Sequence, residues 1–283
     1  METENEMSKK KTEAPQTIKQ RFVACVQSTG RCGKSTVADA MISWLRFAGV
    51  PHASIDADFQ HHTLSDRYPG EIHLHDATAS EDEFGLMLEH IPTEPVMLVD
   101  FPGQTTAKIL DFADHFQMLK SFKMSDIKPT LLIFTADDST AKDSAIDTID
   151  FFADDADYIL VENSARFRSD LFRTTPLYEW FTQRSTPTVT IPRISAGTLN
   201  VWEAKQHELG RFLSLDEMCK LPGLHHVTQL ELAGIRYRCL VQFEECAARI
   251  VPDPALIKNK VPRVGPATKR NVTRLGNPLL VRT

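Results

Sequence analysis

The stretch from Ser28 to Thr36, STGRCGKST, carries the groups that a phosphate chain needs. Phosphate-binding loops read Gly, four residues, then Gly-Lys-Ser/Thr, and residues 28–35 match at every position except the first, which is serine. Backbone N–H groups of Thr29, Gly30, Arg31, Cys32, Gly33 and on to Thr36 would wrap the phosphates. Lys34 would reach the β- and γ-phosphates, and the Ser35 hydroxyl would ligate Mg²⁺. A helix starting there would point its positive dipole end at the same anions. Farther along, VMLVDFPG ends an apolar run on Asp100, where a carboxylate can hold Mg²⁺ directly or through water. Gly103 then leaves the backbone free to approach the terminal phosphate.

These groups are useful only if a strand precedes the loop and a helix follows it, and the sequence supplies both. RFVACVQS (21–28) is a short, Val- and Phe-containing apolar run that reads as a buried strand. Val37, Met41, Trp44, Leu45 and Ala48 fall at helical spacing and stop at Gly49. HASIDA (52–57), PVMLVD (95–100), PTLLIFTA (129–136), DYILVEN (157–163) and TPTVTIP (186–192) read as further strands, with a short one around Ile72–Leu74. Helical patterns separate them at 80–91, from about Thr105, and through DDSTAKDSAIDTIDFFADD. Strands alternating with helices at this spacing imply βαβ units. The expected fold is α/β: a doubly wound, mostly parallel sheet of the P-loop NTPase kind, with a helical C-terminal part over 197–250 and a basic tail. The expected organisation is a disordered polar leader over 1–20, a P-loop domain over 21–251 and a flexible tail over 252–283.

In this order, TGRCGKST, SIDADFQHHTLS, LVDFPG and ILVEN together resemble the ParA/MinD group of P-loop ATPases over roughly residues 20–195. That group includes plasmid-partition, septum-placement and conjugative-transfer proteins. The likeness implies that Asp56, opening the Asp-x-Asp-x-Gln stretch 56–60, orients the attacking water, with Asp58 beside it near the metal. It also implies that Asn163 lies against the adenine ring of ATP. SLDEMCKL and the helical C-terminal part faintly resemble TraL-type conjugative-transfer relatives. The group's loop carries a signature lysine that crosses to the partner's phosphates in a nucleotide-dependent homodimer. Here Thr29 holds that position and Arg31 replaces the second glycine, so hydrolysis is expected to be slow or to need a partner.

Composition narrows the class. Hydrophobic residues make up 42% and charged residues 25% of the chain, which excludes collagen-like and wholly disordered types. No apolar run reaches the length of a membrane helix, and the first 21 residues mix four Glu with five Lys/Arg, unlike a signal peptide. A cytoplasmic location is expected. Residues 252–283 hold seven Lys/Arg against Asp253, a net of +6, leaving −12 for the rest. Such a tail suits DNA or a DNA-processing protein, although a merely solvated end has the same composition.

Five cysteines without a CxxC pair argue against disulfide or zinc frameworks. His61, His62, His73 and His75 read as solvated loop histidines, and Cys32 as a small loop filler in preference to a redox switch. Arg166, Arg168 and Arg173 would form a lid in a phosphate-transferring kinase. Phe167 and Phe172 among them suit either a partner surface or a half-buried helix face.

Three functions follow. The first is a weak Mg²⁺-dependent ATPase acting as a nucleotide switch in plasmid or DNA partition or conjugative transfer. The second is a small-molecule or nucleotide kinase. The third is a non-hydrolysing nucleotide-binding module.

Overall fold

The computed structural model describes residues 17–27, 30, 32–89, 93–135, 139–164 and 172–263. Seven strands form one parallel sheet: β1 (Gln20–Cys25), β2 (His52–Asp56), β3 (His73–Leu74), β4 (Val96–Asp100), β5 (Ile127–Phe134), β6 (Asp157–Asn163) and β7 (Thr188–Ile191). Their spatial order is β3-β2-β4-β1-β5-β6-β7, and every pairing is parallel. From β1 the chain passes out to β2 and β3, returns to insert β4 between β2 and β1, and then crosses to β5, β6 and β7 on the other side of β1. A crevice therefore opens beyond the carboxyl ends of the strands beside β1, the place where such sheets bind ligands.

Period-two alternation along β1 divides the core. Phe22, Ala24 and Val26 pack into one layer, while Val23 and Cys25 pack into the other. The first layer holds α3 (Glu81–Glu89), α4 (Thr106–His115), α5 (Met118–Met124), α6 (Ser139–Phe152) and α7 (Pro176–Gln183). The second holds α1 (Lys34–Ala48), the short α2 (Thr63–Arg67), α9 (Leu215–Lys220), α10 (His226–Glu245) and α11 (Ala247–Ile250). Between β7 and α9 runs α8 (Ala196–Leu209).

α1 is buried nearly all round because it lies between the sheet and α10, with Trp44 fully buried against Phe243 of α10. Gly49 ends α1 in the left-handed conformation that glycine adopts without a Cβ penalty. At the other end of the sheet, Arg21 donates from Nη1 to Asp157 Oδ2 at 2.5 Å and from Nη2 to the Ala248 carbonyl at 2.9 Å, fastening α11 beneath β1.

Residues 252–263, expected as the start of a flexible tail, run along the body instead. The Lys258 N–H donates to the Ala48 carbonyl at 2.8 Å, Asn259 Nδ2 to Phe47 O at 2.9 Å, and Val261 is buried. Composition misleads here because Ile257 and Val261 supply enough apolar surface to dock on α1 and α10. The rest of the expected tail, 264–283, and the leader up to residue 16 lie outside the described residues. Among the described residues, no helix is long and apolar enough to cross a membrane.

Candidate functional site

The crevice holds a cavity of about 660 Å³ whose walls include Gly30, Gly33, Lys34, Ser35, Thr36 and Asp58. Further wall residues are Gly103 from the β4–α4 loop and Asn163 from the end of β6. Of the expected loop, Ser28, Thr29 and Arg31 lie outside the described residues.

Gly33 starts α1 with φ 102°, a left-handed value that L side chains resist. A Cβ there would also lie 2.6 Å from Asn163 Nδ2, so glycine is required twice over. Asn163, expected at a base, reaches the loop itself: its Nδ2 donates to the Cys32 carbonyl at 2.8 Å while the residue also lines the cavity. Gln27 fixes the loop's entry. Its Nε2 donates to the carbonyls of Phe134 (2.9 Å) and Ala141 (2.8 Å), and its Oε1 accepts from the Phe134 N–H at 2.6 Å. Lys34 folds back over the loop with Nζ 3.3 Å from the Gln27 carbonyl. A lysine at the N-terminus of α1, whose first N–H groups are the donors that helix ends leave unsatisfied, suits a polyphosphate.

The Ser35 hydroxyl donates to the Asp100 carboxylate, joining the first turn of α1 to the end of β4. Burial pushes the Asp100 pKa up to about 7, and the neighbouring Asp56 and Asp58 carboxylates push the same way; the Ser35 bond and Lys34 pull it down. A hydroxyl and a carboxylate in contact, with more acid nearby, form the hard-oxygen donor set that Mg²⁺ prefers. Gly103 comes close to the loop: a Cβ there would lie 3.3 Å from Gly30 Cα and 3.6 Å from Lys34 Nζ.

Asp56 behaves differently from the expectation that it orients water. It is fully buried, and its Oδ2 accepts from the N–H groups of Leu64 (3.0 Å) and Ser65 (2.8 Å). Its Oδ1 accepts from the Asp58 N–H at 3.1 Å. The carboxylate is thus the internal frame of the loop between β2 and α2. That loop instead turns Asp58, Gln60 and His61 toward the cavity.

The thiol of Cys32 is fully buried, and burial raises its pKa, which removes the thiolate that a redox switch needs. The histidines form no metal centre among the described residues. His61 lines the cavity, and His62 pairs with Asp66 at 2.9 Å. Phe172 is buried, in keeping with the packing account, and Arg173 pairs with Glu162 at 2.7 Å. Arg166, Phe167 and Arg168 lie outside the described residues.

Sequence reasoning missed Gln27 and Arg67. Both have polar side chains that recognise backbone carbonyls brought close only by folding, and nothing in their local pattern marks them.

No family model and no curated protein matches this chain. Solved structures with similar folds include chloroplast FtsY from Physcomitrella patens, at 11% identity and TM-score 0.42, covering 62% of this chain and 59% of that one. A nucleotide-binding protein from Archaeoglobus fulgidus in complex with ADP matches at 17% identity and TM-score 0.42, covering 65% and 85%. FlhF complexed with GMPPNP/Mg²⁺ matches at 16% identity and TM-score 0.35, covering 61% and 64%. The match thus spans less than two thirds of the FtsY and FlhF chains. This chain's own strand order, its Gly-Lys-Ser turn at the start of α1 and its Ser35–Asp100 contact define the class: a P-loop NTPase fold with a cavity at the switch point of the sheet.

Proposed function

We propose that this chain is a ParA/MinD-like, ATP-binding nucleotide switch with slow Mg²⁺-dependent ATP hydrolysis, acting in plasmid or DNA partition or in conjugative transfer. The observation that carries the reading is the contact of the buried Asp100 with Ser35, which lines the cavity beside Lys34 and Gly103. The residue types fit a bound Mg²⁺, with Ser35 and Asp100 as its holders and Asp58 beside them. When bound, the metal neutralises charge on the terminal phosphates.

The rest is done by the chain. Lys34 binds the β- and γ-phosphate oxygens, and loop N–H groups at Gly30 to Thr36 hold the remainder. To Asp58, the cavity-facing acid of the 56–60 stretch, we assign the orientation of the attacking water, and Asp56 holds the loop that presents it. Asn163 supports the loop and forms part of the cavity wall, and we assign it to the base. Motif order supports the ParA/MinD assignment, and so does the fully parallel sheet with Asp56 and Asp100 in register on adjacent strands. Since Thr29 carries no cation, turnover should depend on a partner: a second copy of the chain, or DNA recruited by the basic segment after Pro252.

The test is ATP turnover with Mg²⁺, with and without duplex DNA, against Lys34→Ala. Slow turnover accelerated by DNA and abolished in Lys34→Ala supports the switch. Wild-type turnover no higher than that of Lys34→Ala under both conditions rules out hydrolysis.

A further inference from the structure

Arg67, the last residue of α2, stands where the nucleotide cavity meets a second cavity of about 510 Å³ along the flank of α1. Among the described residues lining the nucleotide cavity it is the single arginine, and Lys34 is the single lysine. Its Nη1 donates to the Ser35 carbonyl at 3.3 Å and to Asp39 Oδ2 at 3.2 Å. Its Nε is buried without a hydrogen-bond partner. A guanidinium presents five donors in a rigid fork that matches phosphate oxygens, and here part of that fork is unused.

Asp39 does not depend on Arg67 alone. Its buried carboxylate also accepts from the Tyr68 hydroxyl at 2.5 Å and from the Leu215 N–H at 3.2 Å. If Arg67 turned away, Asp39 would keep two donors. The exchange of one anion for another is therefore open to Arg67 in a way it would not be if Asp39 had no other support. The opposite requirement comes from the loop: with threonine at position 29, Lys34 is the only loop cation among the described residues that the motif directs at a polyphosphate.

We propose that Arg67 is a ligand of the terminal phosphate of a bound nucleoside triphosphate, supplied by the same chain and exchanging Asp39 for phosphate oxygens. This rests on the nucleotide-binding reading above. It makes the loop between β2 and α2 the element that distinguishes triphosphate from diphosphate, because Asp56 ties the start of α2 to the sheet and Arg67 ends it at the cavity.

The experiment is calorimetric titration of the full chain, in Mg²⁺, with a non-hydrolysable ATP analogue and with ADP. Arg67→Ala should weaken the triphosphate analogue about tenfold or more while changing ADP by less than about twofold. Arg67→Lys, which keeps the charge and loses the fork, should show a smaller loss confined to the triphosphate. Arg67→Ala also leaves a buried charge at Asp39, so the same titrations are run on Arg67→Ala/Asp39→Asn, which removes that charge, keeps one oxygen to accept from the Leu215 N–H and turns its NH2 to donate to the Tyr68 hydroxyl oxygen. Should the alanine variants not fold, Arg67→Lys alone decides, through the same triphosphate-only loss. Equal loss for both nucleotides marks Arg67 as a strut of α2 and overturns the proposal, as does unchanged affinity for the triphosphate. Triphosphate binding that needs Lys34 but not Arg67 leaves the nucleotide reading standing and removes this one. No binding of either nucleotide by the wild type removes both.

Discussion

Two aspartates end adjacent strands in register, Asp56 on β2 and Asp100 on β4, and both are buried. Burial raises the pKa of both, and they differ in what donates to them. The Asp56 pKa is pushed up by burial, but three backbone N–H groups pull it back and commit both its oxygens to the loop between β2 and α2. Asp100 has the Ser35 hydroxyl and the nearby Lys34, with two other carboxylates close by, and its pKa rises to about 7. The lesson is that a strand-ending acid becomes available for chemistry when the backbone leaves it unsatisfied. Proximity to the phosphate loop alone does not decide it.

The largest effect expected from this contrast is on turnover. Asp100→Asn should lower Mg²⁺-dependent hydrolysis by about a hundredfold or more, since it removes charge at the metal side of the cavity. Steady-state kinetics would check it, and near-normal turnover would put Asp100 among the merely structural acids.

Stability should divide the pair the other way. Asp56→Ala strips three buried N–H groups of their acceptor and should cost about 3 kcal/mol in denaturant unfolding. A variant that melts like wild type yet loses activity would reverse the roles assigned to the two residues.

For the metal-free protein the pH dependence sharpens the contrast. A folded-state pKa raised from 3.8 to about 7 means that Asp100 favours folding most below the lower value. That contribution is lost as pH rises toward the upper one. Asp100→Asn does not titrate, so its melting temperature should gain on wild type as pH rises from 3.8 to about 7 and then level off. A difference that is flat across that range would contradict the burial argument. Within the loop, Gly33→Ala combines a positive φ with a 2.6 Å approach to Asn163 and should cost about 1–3 kcal/mol, read by thermal melting.

The smallest effect on folding is expected from the chain end. Removing 264–283 should leave the melting temperature unchanged and reduce the slope of DNA affinity against log salt by about 0.9 for each phosphate that the tail neutralises. Removing 252–283 should destabilise the protein as well, because Val261 and the Lys258–Ala48 bond go with it. An unchanged salt slope after the shorter deletion would exclude the tail as a DNA-binding segment.

Much of this is legible in the residues. The buried strands of a parallel sheet are continuous apolar runs, so DYILVEN carries the strand's observed limits, Asp157–Asn163, and PVMLVD comes within one residue of Val96–Asp100. The Gly-Lys-Ser turn, the Asp100 strand end and the close approach of Gly103 are all local patterns with a chemical reason. Less legible is α2, hidden in the polar stretch DFQHHTLSDRYPG, because a helix of five residues has too little period to register and is held by Asp56 from another element.

By itself, the sequence determined the alternation of strand and helix, the glycines and lysine of the loop and the acid that ends β4, since each depends on neighbours along the chain. Only the tertiary structure decided the strand order, the burial of Asp39, the commitment of Asp56 to backbone N–H groups, the exposure of Asp58 to the cavity and the placement of Arg67 between two cavities. Those facts depend on which dipoles and charges meet across long sequence separations. A carboxylate or guanidinium has the same formula whether folding surrounds it with partners or leaves it short of them.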